Sequence, residues 1–229
     1  PMFEWVVEKV FSESGLEAEV GCDGNEIVGL LNDPIRSFLE RGCRIRSPRV
    51  EEMPADAELF ESKGPKDWKL RDAVFREILC KEQDAIEKLA AQGNIPPGSP
   101  GEAAIAIARQ AIEGRIERIK SVDKSPDFGT HRVSLVIDER RCRMEIKNLS
   151  LKKSTAILFD AGRINGKRRL KLWVTHLFLN LQKPVETNFV ALNKTVRLAS
   201  MNQSDAVRHI IDLDSLARES QRALLPFIP

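Results

Sequence analysis

Residues 154–181 read STAILFDAGRINGKRRLKLWVTHLFLNL. A short apolar run, Ala156–Phe159, ends at Asp160, and Asp before Ala-Gly is a turn signal. From Lys167 to Leu181 the apolar period changes: Leu170, Trp173, Val174 and Leu177 fall on one helical face. The stretch is a strand, a turn and a helix. Arg163, Lys167, Arg168, Arg169 and Lys171 bracket the helix start.

Two more strands precede it. Val133, Leu135 and Ile137 alternate with Ser134 and Val136, and Cys142, Met144 and Ile146 alternate with charged residues. Downstream, Phe189–Leu192 and Thr195–Leu198 form a hairpin around Asn193-Lys194. Ser204 then caps a last helix carrying Val207, Ile210, Ile211 and Ala217. This order implies an α/β or α+β fold.

The N-terminal half is helical. Phe3, Val6, Val7 and Val10 give a weak amphipathic opening, followed by a glycine-rich break at Gly21–Gly24. Two short helices are expected over 25–31 and 34–41. Asp33 is the cap between them, Pro34 takes the first helical position, and Gly42 is the stop. The second buries Ile35, Phe38 and Leu39. A polar connector over 43–67 follows, with a basic start (Arg41, Arg44, Arg46, Arg49) and then an acidic stretch (Glu51, Glu52, Asp56, Glu58, Glu61). Helices follow over Asp67–Leu79 and on to Leu89. After the breaker GNIPPGSPG (93–101), Ile105, Ala108, Ile112, Ile116 and Ile119 mark a helix to Lys120. The chain thus divides into a helical region, 1–124, and a mixed β/α core with a C-terminal helix, 125–229.

Composition narrows the function. With 42% apolar residues in 229, the chain can bury a core, which excludes global disorder. No apolar run approaches the roughly 18 residues of a membrane span. Glu4 and Glu8 interrupt any secretory leader, and the cysteines Cys22, Cys43, Cys80 and Cys142 form no C-x-x-C pair. Reduced thiols in the cytoplasm are expected. Three histidines and no tyrosine leave little acid–base equipment near neutral pH.

Glu145-Ile146-Lys147 is the one carboxylate-x-lysine triplet on an expected strand with catalytic precedent. Alternation puts both side chains on one face, where the acid can hold a divalent metal and the lysine can steady a phosphate. The simpler reading is that Met144 and Ile146 face the core and their neighbours face water. Asp160 is a metal ligand or, more simply, a turn residue. His131 and His176 stand alone, and packing suits them better than catalysis. The basic cluster Arg163, Lys167, Arg168, Arg169 and Lys171 is either a solvated helix face or a contact for DNA phosphates. Few aromatics flank it, so any DNA contact is to backbone rather than to stacked bases.

Four segments in order, taken together, resemble the RecC family, the gamma subunits of exodeoxyribonuclease V. They are EIVGLLNDPIRSFLERGCRIRSP (26–48), GNIPPGSPGE (93–102), STAILFDAGRINGKRRLKLWVTHLFLNL (154–181) and DLDSLARESQRALLPFIP (212–229). The resemblance is to the C-terminal domain of these much larger subunits. It implies a degenerate restriction-endonuclease-like PD-(D/E)xK nuclease fold. In the nuclease domain of the RecB partner, the catalytic strand carries Asp-Tyr-Lys just ahead of a helix. Counted back from Trp173, that triplet falls on Leu158-Phe159-Asp160, and the metal aspartate of the preceding strand falls near Leu149. Leucines cannot hold Mg²⁺.

The resemblance therefore implies no catalytic residue, no metal ligand and no cofactor. The expected role is a non-catalytic scaffold and DNA-guiding domain of the RecBCD helicase–nuclease, in double-strand-break repair and recombination. Its partners would be RecB, RecD and DNA, with no membrane. Two other readings stand beside it: an active nuclease using Glu145, Lys147 and Asp160, and a protein-interaction module without DNA contact.

Overall fold

The computed structural model describes residues 20–45, 67–137 and 140–223. The expected amphipathic opening, most of the connector and the last six residues lie outside them. Among the described residues, a six-stranded mixed sheet is flanked by seven helices. No helix there is long and apolar enough to cross a membrane.

Strand β1 (Val20–Asp23) occupies the segment expected as a glycine-rich break. It pairs in parallel with β3 (Arg140–Lys152), with Cys22 opposite Cys142. Its partner lies more than 100 residues away, so no local pattern announces it. Asp23 also caps α1 (Gly24–Asn32), accepting from the amides of Asn25 and Glu26. Asp33 caps α2 (Pro34–Ser37) as expected, and a π turn, Phe38–Gly42, continues it.

The buried face of α2 is not the expected one. Ile35 is 50% exposed, while Pro34 and Ser37 are buried. The Ser37 hydroxyl donates to the carbonyls of Leu30 and Asp33, which turns that side of the helix inward.

Helices α3 (Asp67–Leu79), α4 (Ala85–Ala91) and α5 (Ser99–Val122) come next. Strand β2 (Gly129–Ile137) then forms an antiparallel hairpin with β3, and β3 pairs antiparallel with β4 (Thr155–Asp160). Helix α6 (Gly166–Leu179) crosses over to β5 (Glu186–Ala191), which lies parallel to β4. Strand β6 (Thr195–Leu198) closes the expected hairpin, and α7 (Gln203–Glu219) ends the fold. The cap of α7 is Asn202 rather than Ser204: its side chain accepts from the Asp205 amide at 2.8 Å, and the Ser204 hydroxyl donates to that same oxygen.

The sheet draws strands from both sides of residue 124 and is covered on both faces. Ala156 and Leu158 of β4 point into one core, with residues of α1, α6 and α7. Ile157 and Phe159 point into the other, with residues of α3, α4 and α5. There Phe159 stacks on Phe75 at 3.6 Å. Burial on both faces explains the unbroken Ala156–Phe159 run, since a central strand shows no alternation.

Two local devices hold the α6 side together. Gly24 meets the sheet so closely that a Cβ would lie 2.8 Å from Phe178 and 2.9 Å from Met144. Asn180, after α6, donates to the carbonyls of His176 and Val185 and accepts from the amides of Val185 and Met201. His176 is buried and its Nδ1 lies 2.8 Å from the Thr187 hydroxyl. Burial pushes its imidazole pKa down, and a hydrogen bond at the Ala199 backbone opposes this.

Gly24→Ala is expected to destabilise the fold by about 1–3 kcal/mol in urea unfolding, because the new methyl overpacks the α1–α6 contact. The His176 shift sets a pH dependence. A folded value below the unfolded one of about 6.5 means the unfolded chain binds more protons. Thermal stability should hold above that value and fall as pH drops through it toward the lowered folded value. The fall should be smaller in His176→Gln, and an equal fall in both proteins would contradict the assignment.

Candidate nucleic-acid interface

The basic cluster stands at the carboxyl ends of the parallel strands β4 and β5. Asn165 caps α6, accepting from the Arg168 amide at 3.0 Å, and this fixes where the cationic turn begins. Arg163, Lys167, Arg169 and Lys171 are all exposed, and none has an ion-pair partner among the described residues. Arg168 differs from them. Its Nε donates to both carboxylate oxygens of Asp160, at 2.9 and 3.0 Å, and its Nη1 donates to the Arg163 carbonyl. Its guanidinium is spent on shaping the loop.

Asp160 is a turn residue in geometry. Its Oδ1 accepts from the Gly162 amide at 2.7 Å, closing the 160–162 bend that the Asp-Ala-Gly signal anticipates. A Cβ at Gly162 would meet the Arg168 guanidinium, 2.9 Å from Nε and closer still to its outer atoms, so the guanidinium would have to move from its place on Asp160. The loop is then tied to the β5–β6 turn. The Ile164 amide donates to Asn193 Oδ1 at 2.9 Å, and the Leu192 amide donates to the Gly162 carbonyl at 3.0 Å. Arg115 of α5 donates through Nε to the Leu192 carbonyl, also at 3.0 Å. The sequence reading missed Gly162, Asn193 and Arg115 as builders of this site.

Glu145, Lys147 and Asp160 line one cavity of about 30 Å³, with Leu158, Arg168, Lys171 and Leu172 among its other walls. The cavity opens where β3 and β4 part. Alternation is as expected: Met144 and Ile146 are buried, and Glu145 and Lys147 lie on the opposite face. Each acid already has a cation. Glu145 lies 3.4 Å from Arg132, its cross-strand neighbour, and 3.7 Å from Lys147. Asp160 has Arg168. Among the described residues, no group of three or more His, Cys, Asp or Glu side chains is placed to hold a metal ion.

Leu149 and Leu158 are register partners across β3 and β4, 0% and 6% exposed, in the same core. Asp72 of α3 reaches toward the back of this region. It accepts from Arg76 at 3.1 Å and lies 3.5 Å from the Asn148 amide nitrogen. Burial raises its pKa, which Arg76 opposes and the nearby Asp160 reinforces. His131 sits apart, its Nε2 3.1 Å from the Leu149 carbonyl, and burial lowers its pKa. A larger cleft, about 830 Å³, shares no wall with this region, and its charges Arg41–Glu26 and Arg218–Asp214 are paired with one another.

The RecC C-terminal domain family matches residues 22–229 of the chain. No curated protein matches it. Among solved structures, the chain is similar to one titled "Crystal structure of SSO0001", at 9% identity and a TM-score of 0.26, over 82% of this chain and 86% of that one. A likeness that loose carries no argument.

Asp160→Ala strands the Arg168 guanidinium and the Gly162 amide, and is expected to cost about 1.5–3 kcal/mol in urea unfolding. Gly162→Ala should break the same contact from the other side. The double variant should therefore lose less than the sum of the singles, and strict additivity would mean the two do not share one device.

Proposed function

The chain belongs to the RecC C-terminal domain family, and on that premise we propose that it is a non-catalytic, DNA-guiding scaffold domain of the RecBCD complex. Membership of the family implies a role in that complex. The finer reading rests above all on Leu149 and Leu158. These are the positions where the resemblance would put metal-binding aspartates, and here they face each other as buried leucines. A divalent metal needs clustered oxygen ligands, which two core leucines cannot supply.

The nuclease-like fold is part of the same reading. The crossover β4–α6–β5, with the triplet Leu158-Phe159-Asp160 at the end of β4 just ahead of α6, supports it. Guidance of DNA rests on Arg163, Lys167, Arg169 and Lys171, exposed and without carboxylate partners among the described residues, while Arg168 holds their loop in shape. Phosphates are the natural counter-charge for such a surface, and its contacts carry no base information. RecB and RecD are the proposed protein partners, and the cytoplasm the place of work. The active-nuclease reading has one observation in its favour, the cavity that Glu145, Lys147 and Asp160 share.

Purified protein should leave labelled single-stranded and duplex DNA intact with Mg²⁺ or Mn²⁺. Metal-dependent cleavage lost in Glu145→Ala or Asp160→Ala would establish the nuclease instead. Binding to a forked duplex should weaken steeply with added salt, as contacts to phosphate require.

A further inference from the structure

We propose that Cys22 and Cys142 form a dithiol modification site, at which a peroxide joins the two sulfurs into a disulfide that clamps β1 onto β3. The site lies apart from the cationic surface and stands or falls independently of the DNA-guiding reading.

Register brings the two together. Cys22 and Cys142 are partners across the parallel β1–β3 ladder, and both are buried in the same core, so their side chains leave the sheet on one face. The ladder steps just before them. Val20 pairs with Arg141 and Cys22 with Cys142, so β1 advances two residues while β3 advances one. With no step, Cys142 would stand opposite Gly21. Arg218 of α7 pins the step, donating through Nη2 to the Gly21 carbonyl and through Nε to Asp214 at 2.8 Å. Neighbouring strands lie about 4.8 Å apart, inside the roughly 4.4–6.8 Å between Cα atoms that a disulfide spans. The two thiols share a hydrogen bond.

Access comes from the other side. Cys22 lines the cleft of about 830 Å³ between α1, the π turn and α7, which admits a molecule as small as hydrogen peroxide. The hydrogen bond to Cys142 and burial push the Cys22 thiol up, against a smaller opposing pull from Arg218. The pair therefore rests as free thiols and yields only to a strong two-electron oxidant. Peroxide oxidises the Cys22 sulfur to a sulfenic acid and releases one water. The Cys142 sulfur then attacks the Cys22 sulfur. The S–S bond forms, the S–O bond breaks, and the hydroxide leaves with the Cys142 proton as a second water. Two thiols give up two electrons and two protons, and one peroxide becomes two waters.

The product acts on the least anchored strand of the sheet. β1 has four residues, held by three register pairs and by the Asp23–Arg143 ion pair at 3.0 Å. Asp23 also caps α1, so the new bond fixes the start of that helix against β3. The linked cysteines are far apart in sequence, and cross-links closing long loops restrict the unfolded chain most.

The test is hydrogen peroxide treatment of the folded full chain, then alkylation in denaturant, intact mass and non-reducing peptide mapping. The wild-type chain should yield a linked Cys22–Cys142 peptide pair. With Cys43→Ser and Cys80→Ser combined, the same bridge should form and the mass should fall by about 2 Da. Its Tm should rise by roughly 5–10 °C and return with dithiothreitol. Adding Cys142→Ala should abolish the rise and leave Cys22 as a sulfenic acid that dimedone traps. Cys43 is exposed and lines the same cleft, so a Cys22–Cys43 bridge in place of Cys22–Cys142 would overturn the site. So would a bridge that forms only in urea, where the unfolded chain supplies the encounter. Sulfinic acid at Cys22 with Cys142 still alkylated, or full alkylation of both, would overturn it as well.

Discussion

Strand β3 has more hydrogen-bonded neighbours than its length can serve evenly, and the architecture around the cationic surface follows from that. On one edge it pairs with β2 over most of its thirteen residues. On the other it must serve two strands, β1 at residues 141–143 and β4 at 149–152. Between them, Glu145–Lys147 has no strand beside it, and the Asn25 side chain takes the Glu145 carbonyl instead. A bulge falls there: β2 advances two residues from Gly129 to His131 while β3 spans three, from Leu149 back to Ile146. Asn148 adopts φ +55°, a left-handed conformation that asparagine tolerates better than most residues. The bulge keeps Ile146 and Leu149 on one buried face despite their odd spacing, and opens the gap that Lys147 and Lys171 border.

The same gap explains how charge is disposed. Asp160 ends β4 at the edge of the opening, where an unpaired carboxylate would repel any anion nearby. Arg168 neutralises it with a two-point contact, both groups about a quarter to a third exposed. That pairing is local, i to i+8, across the bend closed by the Gly162 amide on Asp160. Among the described residues, Arg163 in the loop and Lys167, Arg169 and Lys171 on the helix are exposed and have no ion pair. The chain's total of +2 says nothing of this, because the sign at the surface depends on which acids are already satisfied.

Much of the fold was legible in sequence because it is local. The Asp33-Pro34 start, the helical spacing of Ile112, Ile116 and Ile119, the Ala156–Phe159 run and the Asp160 turn each carry their own signal. Strand β1 carried none: four residues including a glycine, stabilised by a partner across the whole helical insertion. Ile35 misled because its hydrophobicity fits a buried face, whereas the Ser37 hydroxyl decides the face by bonding to Leu30. One signal was present and unread, the three-residue step from Ile146 to Leu149 in a strand otherwise of period two. The cationic residues were all visible, but their division into bound and free was not, since Arg168 and Arg169 differ only in what three-dimensional neighbours they meet.

On the reading proposed here, the site is a nuclease centre with its charge inverted. The position expected to carry a metal-binding carboxylate is Leu158, and its cross-strand partner is Leu149, so core packing replaces ion binding. The position expected to carry a lysine is Asp160, whose negative charge Arg168 compensates from across the bend. Where that reading would put a metal site, the exposed side chains nearby include Arg163, Lys167 and Lys171. On that reading a DNA strand passes over this surface uncut, because two core leucines stand where a metal would need oxygen ligands.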